Sequence, residues 1–164
     1  MQKIVPNLWY DGAAEEAARL YVDLIPGSRL GAVTRYGKAG FEMHGQPDGA
    51  VMTQEFELAG TRMTALNGGP HFRFTPAISF FVTLERAEDV DRLWAGLAEV
   101  GAVLMPLDAY EWSPRYGWVA DRWGLTWQVG LGDPAESGRA VAPCLTFTGD
   151  RAGQAEAACR PMSR

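Results

Sequence analysis

Apolar and polar residues alternate along this chain in two rhythms, and the same order of rhythms occurs twice. Residues 4–10 (IVPNLWY) read as a short apolar strand. Ala14, Ala17, Tyr21 and Leu24 follow at spacings of three and four, which puts them on one face of a helix. Asp11 stands where an N-cap belongs, Glu15 and Glu16 lie near the positive end of the helix dipole, and Pro26-Gly27 stops the helix. Strands are expected over residues 30–36, 51–58 and 62–66, with Ala59-Gly60 as the turn between the last two.

The second half repeats this order. Residues 77–84 (AISFFVTL) predict a strand, and residues 87–100 a helix with Val90, Leu93, Trp94 and Leu97 on one face and Gly101 at its end. Strands are expected over 103–107, 117–120 and 125–131. The charged turn Asp121-Arg122 between the last two reads as a surface hairpin rather than a catalytic couple. Two successive βαβββ modules account for about residues 1–72 and 73–132. A third, partial copy follows. Ala142-Pro143-Cys144-Leu145-Thr146-Phe147-Thr148-Gly149 parallels Val5-Pro6-Asn7-Leu8-Trp9-Tyr10-Asp11-Gly12, and Ala155, Glu156, Ala158 and Arg160 match Ala14, Glu15, Ala17 and Arg19. The other reading is chance similarity in an alanine-rich tail. Residues 133–164 are thus expected to be an appendage whose apolar strand lies against a sheet edge, its own or a partner's.

Composition narrows the function classes. With 164 residues, 47% hydrophobic and 21% charged, the chain is long enough for one packed domain and is not of disordered type. A net charge of -5, with lysine only at Lys3 and Lys38, argues against a nucleic-acid partner. No apolar run reaches the ~18 residues of a membrane helix and no basic-then-apolar leader is present, so no membrane partner and a cytoplasmic location are expected. Cys144 and Cys159 form no CxxC pair and have no histidine pair nearby, which excludes a disulfide framework and a structural zinc site.

Four strings carry a family signature: PNLWYDGAAEEAARLY, MTQEFELAGTRMTALNGGPHFRF, AISFFV and YGWVADRWGLTWQV. Over roughly residues 3–131 the sequence resembles the PhnB-like branch of the glyoxalase, bleomycin-resistance and extradiol-dioxygenase (vicinal oxygen chelate) superfamily. The resemblance implies an α+β fold of paired βαβββ modules whose curved sheets enclose a pocket, assembled as a homodimer. Proteins of this branch often bear the label demethylubiquinone methyltransferase, but no glycine-rich strand-to-helix turn for an adenosyl cofactor is found here.

Metal-using relatives take a His or Glu from the first and fourth strands of each module and use the ion as a Lewis acid. The resemblance carries those positions onto Val5, Met63, Ala77 and Gln128. Only Gln128 could coordinate, and weakly. A slip of one residue gives Ile4 or Pro6, Arg62 or Thr64, Pro76 or Ile78, and Trp127 or Val129, none of them a ligand. No metal and no other cofactor is therefore expected.

Asn67-Gly68-Gly69-Pro70-His71 reads either as a structural turn between modules or as a pocket mouth with His71 as acid or base. His44, in a polar glycine-containing loop, is expected at the surface. Strand alternation assigns Asn7, Trp9, Ala65, Asn67, Ser79, Phe81, Thr126 and Gln128 to one concave side. Trp9, Asn67, Phe81 and Gln128 are the candidate ligand-binding residues, since they mix aromatic walls with neutral hydrogen-bonding groups. No ionisable pair or serine-nucleophile motif joins them, and catalytic residues are unassigned apart from the candidate His71. Three functions fit. The first is a metal-free binder of a small organic ligand, of the kind that holds an aromatic molecule between subunits. The second is a lyase-, isomerase- or transferase-type enzyme acting on a small metabolite. The third is an accessory protein with a vestigial pocket.

Overall fold

Each βαβββ module forms its own sheet, and in each the first strand runs parallel to the fourth. The computed structural model describes residues 2–159, so Arg160 of the partial third copy lies outside the described residues. The first module comprises β1 (Asn7–Tyr10), α1 (Ala14–Leu24), β2 (Arg29–Arg35), the one-turn helix α2 (Phe41–His44), β3 (Val51–Leu58) and β4 (Thr61–Asn67). Its strand order is β1-β4-β3-β2. The second comprises β5 (Ile78–Leu84), α3 (Ala87–Ala98), β6 (Ala102–Tyr110), β7 (Ser113–Ala120) and β8 (Thr126–Leu131). A short helix α4 (Pro134–Ser137), a strand β9 (Val141–Leu145), a 3₁₀ turn (Gly149–Arg151) and helix α5 (Ala155–Cys159) follow. β9 pairs antiparallel with β5, so the second sheet has the order β6-β7-β8-β5-β9.

Period-two alternation explains which side of each sheet is covered. On β4, Thr61, Met63, Ala65 and Asn67 are buried, whereas Arg62, Thr64 and Leu66 are not. α1 packs on that covered face through Ala14, Ala17, Ala18, Tyr21 and Leu24, and α3 covers the second sheet through Val90, Leu93 and Leu97. Gly96 lets the two helices touch, since a Cβ there would stand 2.7 Å from Leu24 Cδ1. Both covered faces and both helices share one buried cluster, in which the Tyr21 ring lies 4.7 Å from that of Trp127. The opposite faces of the two sheets are left open.

Four local expectations change. Ala13, not Asp11, is the N-cap of α1, and the Ala14 N–H donates to Asn67 Oδ1 at 2.8 Å, so β4 supplies the capping oxygen. β6 and β7 run to the tip of their hairpin at Tyr110 and Ser113, past Asp108 and Pro114, because cross-strand pairing sustains a strand whose alternation is broken. Only Arg122 of the charged turn is at the surface, since Asp121 is 4% exposed. His44 is half-buried, its ring 4.5 Å from that of Tyr36.

Candidate functional site

The open face of the second sheet gathers aromatic and neutral polar side chains in register. Phe81 lies opposite Gln128 and Ser79 opposite Thr126 on the parallel β5–β8 pair, while Trp118 on β7 lies opposite Gln128. Residues opposite one another share a face, so these side chains stand together. Gln128 is fixed at both ends. Its Oε1 accepts from the Tyr116 hydroxyl at 2.7 Å, and its Nε2 donates to Ser79 Oγ at 2.8 Å. Around this chain the Phe81 and Tyr116 rings are 6.0 Å apart, and Tyr110 stacks on Trp112 at 5.0 Å. Burial raises the Tyr116 pKa, and nearby Cys144 and Tyr110 add to the effect. Trp112 is 66% exposed, a large apolar surface at the rim.

The first sheet is organised differently. Trp9 lies opposite Leu66, and Tyr10 opposite Asn67. Trp9 and Asn67 therefore occupy opposite faces, and the single concave group expected from alternation divides. Asn7 and Trp9 are on the open face, Ala65 and Asn67 on the covered one. The expectation paired odd-numbered residues of β1 with odd-numbered residues of β4, but the register pairs odd with even. Asn67 uses both ends of its amide internally, Oδ1 on α1 and Nδ2 donating to Val51 O at 3.0 Å. Its own carbonyl accepts from the Tyr36 hydroxyl at 2.6 Å.

The segment after β4 folds over Trp9. The indole Nε1 donates to Gly69 O at 2.7 Å, and Phe72 meets the ring edge-on at 4.9 Å. A Cβ at Gly68 would lie 2.2 Å from the indole, so only glycine fits. A cleft of about 150 Å³ opens here between Trp9, Phe72, Phe74 and Trp123. His71, in the same segment, is exposed. A second groove, about 340 Å³, crosses the open side of the first sheet past Arg29, Glu55, Glu57 and Arg62.

Asp121 is the polar residue that the sequence reading missed. Its Oδ2 accepts from the Tyr21 hydroxyl at 2.6 Å and from Trp127 Nε1 at 3.0 Å, and its Oδ1 accepts from the N–H groups of Trp123 and Leu125. Burial pushes its carboxyl above the usual carboxylate range, against the downward pull of those hydrogen bonds. Burial likewise raises the Tyr21 phenol, which also contacts the Tyr10 hydroxyl at 3.0 Å. The adjacent Trp127 in the DRWGLTW string is the signal that could have marked this turn as interior.

The metal positions implied by the resemblance do not make a site. Val5 and Ala77 precede their strands, and Met63 points into the core. The open-face residues on the first and fourth strands of each module include Asn7 and Thr64, and Ser79 and Gln128, and none of the others on those strands is a His, Cys, Asp or Glu, so the donors are neutral oxygens that suit no transition-metal centre. Among the described residues no three of His, Cys, Asp or Glu converge on a point. β1 joins α1 through Asp11-Gly12-Ala13, and β5 joins α3 through Glu85-Arg86, so neither turn offers the glycine-rich loop of a nucleotide-type cofactor.

A family profile described as 3-demethylubiquinone-9 3-methyltransferase matches residues 2–130. The chain belongs to that family, the PhnB-like branch of the superfamily. It is 36% identical to a PhnB protein from Bacillus cereus, described as a 3-demethylubiquinone-9 3-methyltransferase, with a TM-score of 0.72 over 80% of this chain and 100% of that one. It is 25% identical to the protein PA1353 from Pseudomonas aeruginosa, with a TM-score of 0.64 over 80% and 98% of the two chains. The fosfomycin resistance protein FosX from Listeria monocytogenes, at 13% identity, shares the fold with a TM-score of 0.54 over 83% and 97%. No curated protein matches the chain. Among the described residues no helix is long and apolar enough to cross a membrane.

Proposed function

We propose that this family member binds a small, planar organic molecule on the open face of its second sheet, without a metal. The observation that carries the reading is the Tyr116–Gln128–Ser79 chain set among aromatic rings. Such a surface offers stacking area and neutral hydrogen bonds, the two ingredients of a small-ligand site. β5 and β8, at the centre of the face, carry no ionisable side chain, so the face has no general acid or base at its middle. Neither the four neutral metal positions nor the strand-to-helix turns suit the cofactors of metal-dependent isomerisation or adenosyl-dependent methyl transfer.

An open aromatic face is half of a pocket. We assign its other wall to a second copy of the chain, which would also cover the exposed Trp112. Light scattering at micromolar concentration is expected to give a dimer, and a monomer counts against this part of the reading.

Thermal-shift screening against neutral planar aromatic compounds, with divalent metals as a control, tests the function. At least one such compound is expected to stabilise the protein, and Gln128→Leu is expected to weaken its binding by roughly 1–3 kcal/mol through the unpaired Tyr116 and Ser79 groups. Stabilisation by a divalent metal alone would overturn the proposal. His71→Gln separates binder from enzyme, since turnover lost at unchanged affinity would replace this reading with a catalytic one.

A further inference from the structure

The family match stops short of β9. The profile ends at residue 130, and the Bacillus cereus protein is spanned along 100% of its length by 80% of this chain. β9 lies beyond the profile, yet it is built into the fold. Five of its residues pair with β5, Val141 is fully buried, and Thr61 Oγ1 donates to the Val141 carbonyl at 2.9 Å. The pairing decides what β9 displays. Val141 lies opposite Val82 and turns into the core, whereas Ala142 lies opposite Phe81 and Cys144 opposite Ser79. The last two therefore stand on the aromatic face, which β9 widens by one strand spacing, about 4.8 Å. Cys144 is near enough to Tyr116 to contribute to the rise in its pKa. On the same face the Trp118 indole N–H is buried with no hydrogen-bond partner among the described residues.

We infer that β9 is a specificity wall of the binding face. Ala142 and Cys144, small residues beyond the family profile, leave room beside the half-buried Phe81 for a planar molecule that carries an acceptor and extends to the thiol. This rests on the binding proposal above. A soft, polarisable sulfur at that edge favours contact with an aromatic ring over contact with a charged group.

The test uses the full chain with Cys159→Ser, which leaves one thiol, and two probes that are planar and carry an acceptor, coumarin and quinoline. Binding is followed by tryptophan fluorescence in this parent and with Gln128→Leu, Cys144→Trp or Pro143→Ala added. A further sample of the folded parent is alkylated at Cys144 with N-ethylmaleimide, which keeps the experiment decisive should Cys144→Trp fail to fold. Expected are losses of about tenfold or more for Gln128→Leu, Cys144→Trp and the alkylated protein, with Pro143→Ala within about twofold because Pro143 turns away from the face. If Gln128→Leu weakens a probe while Cys144→Trp and the adduct bind like the parent, the wall is refuted and the binding face survives. Equal losses from Pro143→Ala and Cys144→Trp would also refute it, since β9 would then act only as an edge support. If neither probe binds, or binding ignores Gln128→Leu, both inferences fall.

Discussion

The Tyr21 hydroxyl donates to the Asp121 carboxylate at 2.6 Å across 100 positions of sequence. The bond joins the helix of the first module to the last hairpin turn of the second. Tyr10 extends it on one side and Trp127 on the other, so the polar centre of the core is shared by both modules. A network of this kind stabilises only while every member is satisfied.

Asp121→Asn replaces one carboxylate oxygen with an amide NH2, which must then face donors whichever way it turns. A loss of about 1–3 kcal/mol in urea denaturation is expected. The pH dependence gives a second readout. Burial raises the folded pKa of Asp121 above its ordinary value of 3.8, so the folded protein holds this proton more tightly than the unfolded chain does. The contribution is fully present below the ordinary value, declines as pH rises through the raised one, and is then level. The stability of wild type relative to Asp121→Asn should fall over that window, and a difference that is flat or rises with pH would contradict the assignment.

Asn67→Ala removes the oxygen that caps α1 and leaves the Val51 carbonyl without its donor. Thermal and chemical denaturation should show a loss of about 1–2 kcal/mol. Unchanged stability in Asn67→Ala would mean that the two bonds contribute little.

Gly68→Ala should displace the Trp9 indole, because the added Cβ would overlap it. Overpacking of this kind costs about 1–3 kcal/mol. Together with lower stability, the variant should show altered tryptophan emission as the Nε1 bond to Gly69 O is lost. Unchanged emission and stability would show that the segment after β4 does not rest on Trp9.

These expectations also mark how far the sequence could be read. Helix faces such as Val90, Leu93 and Leu97 were legible, because burial repeats at helical spacing and needs no distant partner. The paired βαβββ order was legible for the same reason. The capping of α1 was not, since its oxygen comes from Asn67, 53 positions away, while Asp11 sits next to the helix in sequence. The separation of Trp9 from Asn67 depends on the β1–β4 register, which alternation within either strand leaves open. Phe81 and Gln128 did come together, as opposed residues on β5 and β8. Asp121 looked like a surface charge because its Tyr21 partner lies 100 positions away, while the nearby tryptophans were the local sign of an interior turn.

Removing residues 140–164 should leave a folded core of lower melting temperature. The cut strips the β5 edge of its partner strand and vacates the buried seat of Val141, whose side chain contributes about 1.5–3 kcal/mol. Circular dichroism with retained α+β signal and a cooperative melt would meet the expectation, and a wholly unfolded product would place the strand inside the obligatory core.

The Thr61 bond to the Val141 carbonyl spans 80 positions, and β9 pairs with β5 in the same place. During synthesis both modules are complete in sequence before residue 141 leaves the ribosome. Long-range closures are slow because the intervening chain must already be ordered. The seam between the modules is thus latched last, and a nascent chain halted before residue 141 would carry two sheets, one open β5 edge and no latch. Such an edge can recruit strands from other chains, so the arrival of β9 also ends the period in which this protein is most exposed to mispairing.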